Sequence, residues 1–108
     1  MRTVLFLGRD QLGDGDPELG RKVLCTFLRK SVSLSGLEAV VMVNNGVKLV
    51  AEGSPVLAEL TLLEERGVEL MPCGTCLAHY GLEPRVGQVS DMDAILAELE
   101  RAEKVLAP

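Results

Sequence analysis

Residues 39–71 read AVVMVNNGVKLVAEGSPVLAELTLLEERGVELM, and this stretch holds one full period of an alternating architecture. Residues 39–43 form an unbroken valine-rich apolar run between Ser35-Gly36 and Asn44-Asn45-Gly46, which predicts a strand buried on both faces. Gly53-Ser54-Pro55 then starts a helix. Ser54 is its expected cap and Pro55 its first residue, Val56, Leu57, Leu60 and Leu63 supply an apolar stripe, and Gly67 stops it. Residues 68–71 predict the next strand. Strand, helix and strand in this order form a βαβ unit, whose two strands run parallel.

The same alternation continues on both sides. Residues 3–8 are a short apolar run ended by glycine, and residues 9–16 are a loop rich in Asp and Gly. Asp16-Pro17 caps and opens a helix on which Leu19, Val23, Leu24, Phe27 and Leu28 recur at helical spacing up to about residue 31. Beyond Cys73, a short helix carries Cys76, Leu77 and Tyr80 as far as Gly81, and residues 86–89 predict a fourth strand. Ser90 caps a further helix with Asp93 three residues on, an acidic form of the capping box, and Ile95, Leu96 and Leu99 form its buried face. Residues 104–107 predict a fifth strand. The expected fold is therefore α/β, a single domain over residues 1–108. It is a three-layer αβα sandwich around a five-stranded, mostly parallel sheet with right-handed crossovers.

Composition bounds the function. A chain of 108 residues suffices for one hydrophobic core, and 47% apolar with 25% charged residues is the balance of an ordinary folded domain. Aromatic residues make up 3% and the net charge is -5, so both the stacking platforms and the basic face that nucleic acid requires are missing. Anionic membrane is disfavoured on the same ground. No run approaches a secretory or membrane-spanning segment, which leads to the expectation of a cytoplasmic protein. Three cysteines cannot pair completely, so thiol chemistry is the better reading of Cys73 and Cys76.

In a doubly wound sheet, ligands sit outside the carboxyl ends of the strands, here the loops 9–16, 44–47, 72–76 and 90–91. Cys73-Gly74-Thr75-Cys76 lies on that edge. Cys76 falls in the first turn of its helix, where unpaired N–H groups favour a thiolate, the form that attacks sulfane sulfur and holds a persulfide. Cys73 is close enough in sequence to resolve a persulfide or to form a disulfide with it. The plainer alternative makes both cysteines small apolar residues filling a strand-to-helix corner. His79, the only histidine, shares a helical face with Cys76 and is a candidate to stabilise the thiolate or shuttle a proton, with a surface residue as the alternative. Gly74 permits close backbone approach. Asn44-Asn45-Gly46 is a turn signal that Asn and Gly explain structurally by tolerating positive φ; because it lies on the same edge, its amides are also candidates to help bind an anion or a persulfide, with a plain turn as the alternative. Together with Thr75 and Asp91, these residues are the binding candidates.

Other chemistries fit poorly. Zinc wants four ligands in separated pairs, and Cys25 sits within the apolar stripe of the first helix. Asp14 stands where a phosphate-binding loop needs lysine, and Glu18 replaces the third glycine of a dinucleotide fingerprint. No metal and no cofactor are expected.

The segments Asn44-Asn45-Gly46-Val47-Lys48-Leu49, Glu65-Arg66-Gly67-Val68-Glu69-Leu70 and Cys73-Gly74-Thr75-Cys76-Leu77 together resemble the DsrE-like superfamily, most closely the DsrE-like domain of YedF-type proteins. The likeness includes Leu19-Gly20 and Phe27 and covers nearly the whole chain. It implies a doubly wound, oligomeric, sulfurtransferase-like domain linked to sulfur relay or selenium metabolism. Cys76 stands at the persulfide position, and Cys73 matches only the YedF-type subset. Two departures are visible. YedF-type chains usually begin with a TusA-like domain that this sequence lacks, so a TusA-like carrier is expected to act in trans. The Asn-Met-Tyr common before the last helix reads Asp91-Met92-Asp93, making that part more acidic. The resulting expectation is a sulfur or selenium carrier, uncertain as an enzyme, forming a homo-oligomer. The alternatives are a non-catalytic subunit binding a small molecule or a protein, with structural cysteines, and, more weakly, a thioredoxin-like oxidoreductase.

Overall fold

The structure is a computed structural model that describes residues 2–108. Four parallel strands, β1 (Thr3–Leu7), β2 (Leu37–Met42), β3 (Glu69–Pro72) and β4 (Lys104–Leu106), form one sheet in the order β3-β2-β1-β4. Four helices connect them, α1 (Pro17–Lys30), α2 (Leu57–Glu65), α3 (Gly74–Tyr80) and α4 (Met92–Arg101). The central strands are the most apolar because both their faces are covered, and Val4, Leu5, Val40, Val41 and Met42 are fully buried. From β1 to β3 the chain steps steadily in one direction, with α1 packed against α2. It then returns through α4 to pair β4 on the other side of β1. The right-handedness of parallel crossovers assigns α4 to the face opposite α1 and α2.

The sheet has four strands and not the five expected. Residues 86–89 do run beside β3, where the Gln88 N–H donates to the Leu70 carbonyl at 3.4 Å and the Ser90 N–H to that of Pro72 at 2.8 Å. Gly87 breaks this ladder. It adopts φ 75°, and its Cα lies so close to β3 that a Cβ would meet that of Leu70 at 2.8 Å. The chain bends there, and only the isolated bridge Cys73↔Ser90 remains of the pairing.

Helix starts shift for equally local reasons. Asp16 caps α1 as read, accepting from the Leu19 N–H at 2.8 Å. The cap of α4 is Asp91 and not Ser90: its carboxylate accepts from the Ala94 N–H at 2.8 Å, while the Ser90 backbone is bonded to Pro72 and Gly74. α2 begins at Leu57 without a side-chain cap, because the Ser54 hydroxyl closes a tight turn on the Val56 N–H at 3.2 Å. On α1 the buried line is Gly20, Leu24 and Leu28, which leaves Leu19 and Val23 exposed, as is Leu96 on α4. Glu98 of α4 is only 4% exposed. It is neutralised by Arg2, whose guanidinium reaches it at 2.7 Å, and by Arg101. Arg2 also bonds Glu38 at the foot of β2, tying both ends of the chain to the sheet.

Asn44-Asn45-Gly46 opens a 3-10 segment, Asn44–Val50, rather than a simple turn. The segment crosses directly over the end of β1. A Cβ on Gly46 would lie 2.1 Å from the Leu7 carbonyl oxygen, so only glycine fits there. Replacing Gly46 with Ala should cost about 1–3 kcal/mol or more in urea unfolding, the range of an overpacked core. Gly15→Ala, at a position with nothing within 4 Å, should cost less than about 0.5 kcal/mol.

Candidate functional site

β2 and β3 deliver two segments to the same corner of the carboxyl edge. The Cys73 N–H donates to the Met42 carbonyl at 2.9 Å, extending the β2–β3 ladder by one residue before α3 starts. Gly74 then passes tightly beneath residues 89–90: its N–H donates to the Ser90 carbonyl at 2.9 Å, and a Cβ would meet Val89 Cγ1 at 2.9 Å. This fixes the origin of α3, and hence the direction of Cys76, three residues into it.

Cys76 is half-buried, and its Sγ accepts a hydrogen bond from the backbone N–H of Asn44 at 3.1 Å. Asn44 has φ 52° and is the only non-glycine residue of positive φ among the described residues. Asparagine tolerates that conformation better than most, and backbone outliers of this kind gather where geometry serves function. Here the left-handed turn aims an amide at a sulfur 32 positions away in sequence. A second contact closes the ring. The Tyr80 hydroxyl, one helical turn beyond Cys76, lies 3.1 Å from Asn44 Oδ1 and 2.9 Å from Asn45 Oδ1, and donates to these side-chain oxygens. Lys48 sits over the Tyr80 ring at 4.6 Å from its centroid, and the His79 ring meets Tyr80 edge-on at 5.1 Å.

The candidate residues thus divide. Cys76, Asn44 and Asn45 come together. Gly46 and Gly74 serve close backbone approach. Cys73 is 5% exposed and belongs to the hydrophobic core, so it packs where Cys76 is accessible, and all three cysteines are free thiols. His79 is exposed and its contact is with Tyr80; Thr75 is exposed; Asp91 uses its carboxylate to cap α4. Cys25, half-buried on α1, has its thiol pKa pushed up by burial and by hydrogen bonding and charge from Glu59.

Tyr80 and Lys48 were not among the candidates. Each stands four residues after a partner in the site, Tyr80 after Cys76 and Lys48 after Asn44, and Tyr80 is the only tyrosine of the chain. That spacing was the available signal. Both also line a cleft of about 390 Å³ that Cys76 itself does not line, whose other walls include Asp10, Arg21, Leu49, Pro55 and Leu82. Among the described residues, no helix is long and apolar enough to cross a membrane.

No family model matches the chain, and no curated protein matches it. Solved structures do match. The ychN protein from E. coli aligns with a TM-score of 0.69 at 18% identity, covering 100% of both chains. The protein of unknown function MTH1491 from Methanobacterium thermoautotrophicum aligns with a TM-score of 0.71 at 19% identity, over 99% of this chain and 98% of that one. BT1422 from Bacteroides thetaiotaomicron, also of unknown function, gives 0.67 at 19% identity, over 98% and 94%.

Two outcomes follow from the site. At neutral pH iodoacetamide should label Cys76 ahead of Cys25, whose raised pKa keeps it a thiol, and the gap should narrow as pH rises; mass spectrometry of the digest reads both. Tyr80→Phe removes the hydroxyl that holds Asn44. It should cost about 1 kcal/mol of stability and change the rate of Cys76 alkylation at a fixed pH, because the Asn44 N–H that reaches the sulfur is then less well aimed. An unchanged rate would show that Tyr80 does not position the amide.

The three solved structures share this chain's fold over essentially its whole length.

Proposed function

We propose that the protein is a carrier of sulfane sulfur, or of selenium in its place, with Cys76 as the carrying residue. One observation supports this above the others: the half-buried Cys76 sulfur receives a backbone N–H at 3.1 Å from a residue held in a left-handed turn. A fixed amide donor aimed at sulfur favours negative charge there, both on the attacking thiolate and on the persulfide that results. The step balances without a redox partner. The Cys76 thiolate attacks the outer sulfur of a persulfide R–S–SH, the S–S bond of the donor breaks, R–S⁻ leaves with the electron pair, and Cys76–S–SH remains. Delivery to an acceptor thiolate is the same exchange with Cys76 as leaving group.

The resemblance to YedF-type proteins adds a TusA-like protein in trans as the exchange partner and a homo-oligomer as the working form. Leu19 and Val23 on α1 and Met92 and Leu96 on α4 are the exposed apolar side chains such an assembly would cover. Cys73, buried beside the site, fits a structural part better than an attack from solvent, and His79 would act only after turning from Tyr80. The rival reading, a non-catalytic binding subunit with structural cysteines, draws on that burial.

Incubation with a persulfide donor followed by mass spectrometry separates the two readings. A one-sulfur adduct confined to Cys76, lost in Cys76→Ser and kept in Cys73→Ser, is the expected result. Absence of any adduct on the folded protein supports the binding subunit.

A further inference from the structure

The cleft walled by Tyr80, one helical turn along α3 from Cys76, carries a charge pattern that the sulfur chemistry does not explain. Its walls come from three places on the carboxyl side of the sheet. Asp10 and Arg21 follow β1, Lys48, Leu49 and the stretch 51–55 follow β2, and Tyr80 and Leu82 come from α3 and its exit. About 390 Å³ is at the small end of ligand pockets, room for a metabolite and not for a protein tail. Leu49, Ala51, Pro55, Leu82 and the ring of Tyr80 make much of the lining apolar.

Four charged side chains reach it. Glu52 is matched by Arg85 at 3.9 Å, outside the lining. Arg21 and Lys48 have no ion-pair partner among the described residues, and Lys48 makes a cation–π contact with Tyr80 instead. Asp10 is likewise unpaired. The cleft therefore holds two free cations against one free carboxylate, in a chain whose net charge is -5. An excess of one positive charge above an apolar floor suits a singly charged anion with a short aliphatic body. It suits a dianion such as sulfate less, since Asp10 would repel the second charge.

We propose that this cleft binds a small organic monocarboxylate and presents it to Cys76 past Tyr80. Arg21 and Lys48 receive the carboxylate, and the aliphatic body lies on Leu49, Pro55 and Leu82. Tyr80 is the wall common to both sites, since its ring lines the cleft while its hydroxyl holds the Asn44 turn that bonds Cys76. Resting on the carrier reading above, the carboxylate is borne by a low-molecular-weight thiol that gives sulfur to Cys76 or takes it away.

The test needs no persulfide, so its failure is distinct from failure of the carrier reading. Iodoacetate and iodoacetamide alkylate the same thiolate and differ in carrying a carboxylate or an amide. The ratio of their rates at Cys76, measured by mass spectrometry and divided by the ratio for a short cysteine peptide, reports recruitment of the anion. The expected ratio is several-fold above the peptide's in spite of the acidic chain. It should fall several-fold in both Arg21→Gln and Lys48→Gln, and it should fall with added salt. Both side chains are exposed, so these variants fold. A ratio equal to the peptide's, or one that responds to Lys48→Gln and not to Arg21→Gln, overturns the proposal, the latter because it would assign the anion to Lys48 outside the cleft. In a second arm, butyrate should perturb the Tyr80 and Leu82 NMR signals saturably in the wild type and not in Lys48→Gln. Perturbation by sulfate as strong as by butyrate would overturn the preference for an organic monoanion.

Discussion

The passage of Gly46 over the end of β1 is the constraint on which the site depends. With hydrogen where any other residue has a Cβ, the backbone settles against the Leu7 carbonyl, which also accepts the Val43 N–H at 3.0 Å. The chain leaving β2 is thereby turned at once into the 3-10 segment instead of running on past the sheet. Asn44 absorbs the change of direction in a left-handed conformation, and its amide is left pointing towards α3. The Cys76 sulfur, the Tyr80 hydroxyl and the cleft beyond it all follow from that turn.

The other half of the corner is held from beneath. Gly74, Ser90 and Pro72 bond one another through backbone groups, so the start of α3 is fixed by the strand-like segment 88–90. That segment is continuous with Asp91, the cap of α4. Farther along, α4 places Glu98 in a buried network with Arg2 and Arg101. A buried carboxylate is costly unless well partnered, and Glu98 has a guanidinium on each of its two oxygens. The corner that holds Cys76 is thus tied by backbone bonds on its β3 side and by a single turn on its β2 side.

A fold shared at 18–19% identity carries no chemistry by itself. In addition, the site does not sit where doubly wound sheets most often bind. The strand order β3-β2-β1-β4 reverses between β1 and β4, whereas Cys76 lies above β2 and β3. The functional reading rests on the geometry around one sulfur. Only the cleft, reaching from the loop after β1 to α3, extends back towards the switch point.

The sequence alone determined the alternation of strands and helices, the apolar centre of the sheet, the Asp16 cap and the placing of Cys76 at the carboxyl edge. Each of these depends on residues within a few positions of one another, where caps, period and glycine act locally. The tertiary structure decided the rest. That residues 86–89 fail as a strand depends on Gly87 meeting Leu70, that Glu98 is buried depends on Arg2, and that Cys73 packs inward while Cys76 opens outward depends on the ladder with Met42. The hydrogen bond from Asn44 to Cys76 joins residues 32 apart, and the bonds from Tyr80 to Asn44 and Asn45 join residues 36 and 35 apart. Contacts at such separation leave no periodic mark in a single chain, because they are set by the register of β2 against β3 and not by any local preference.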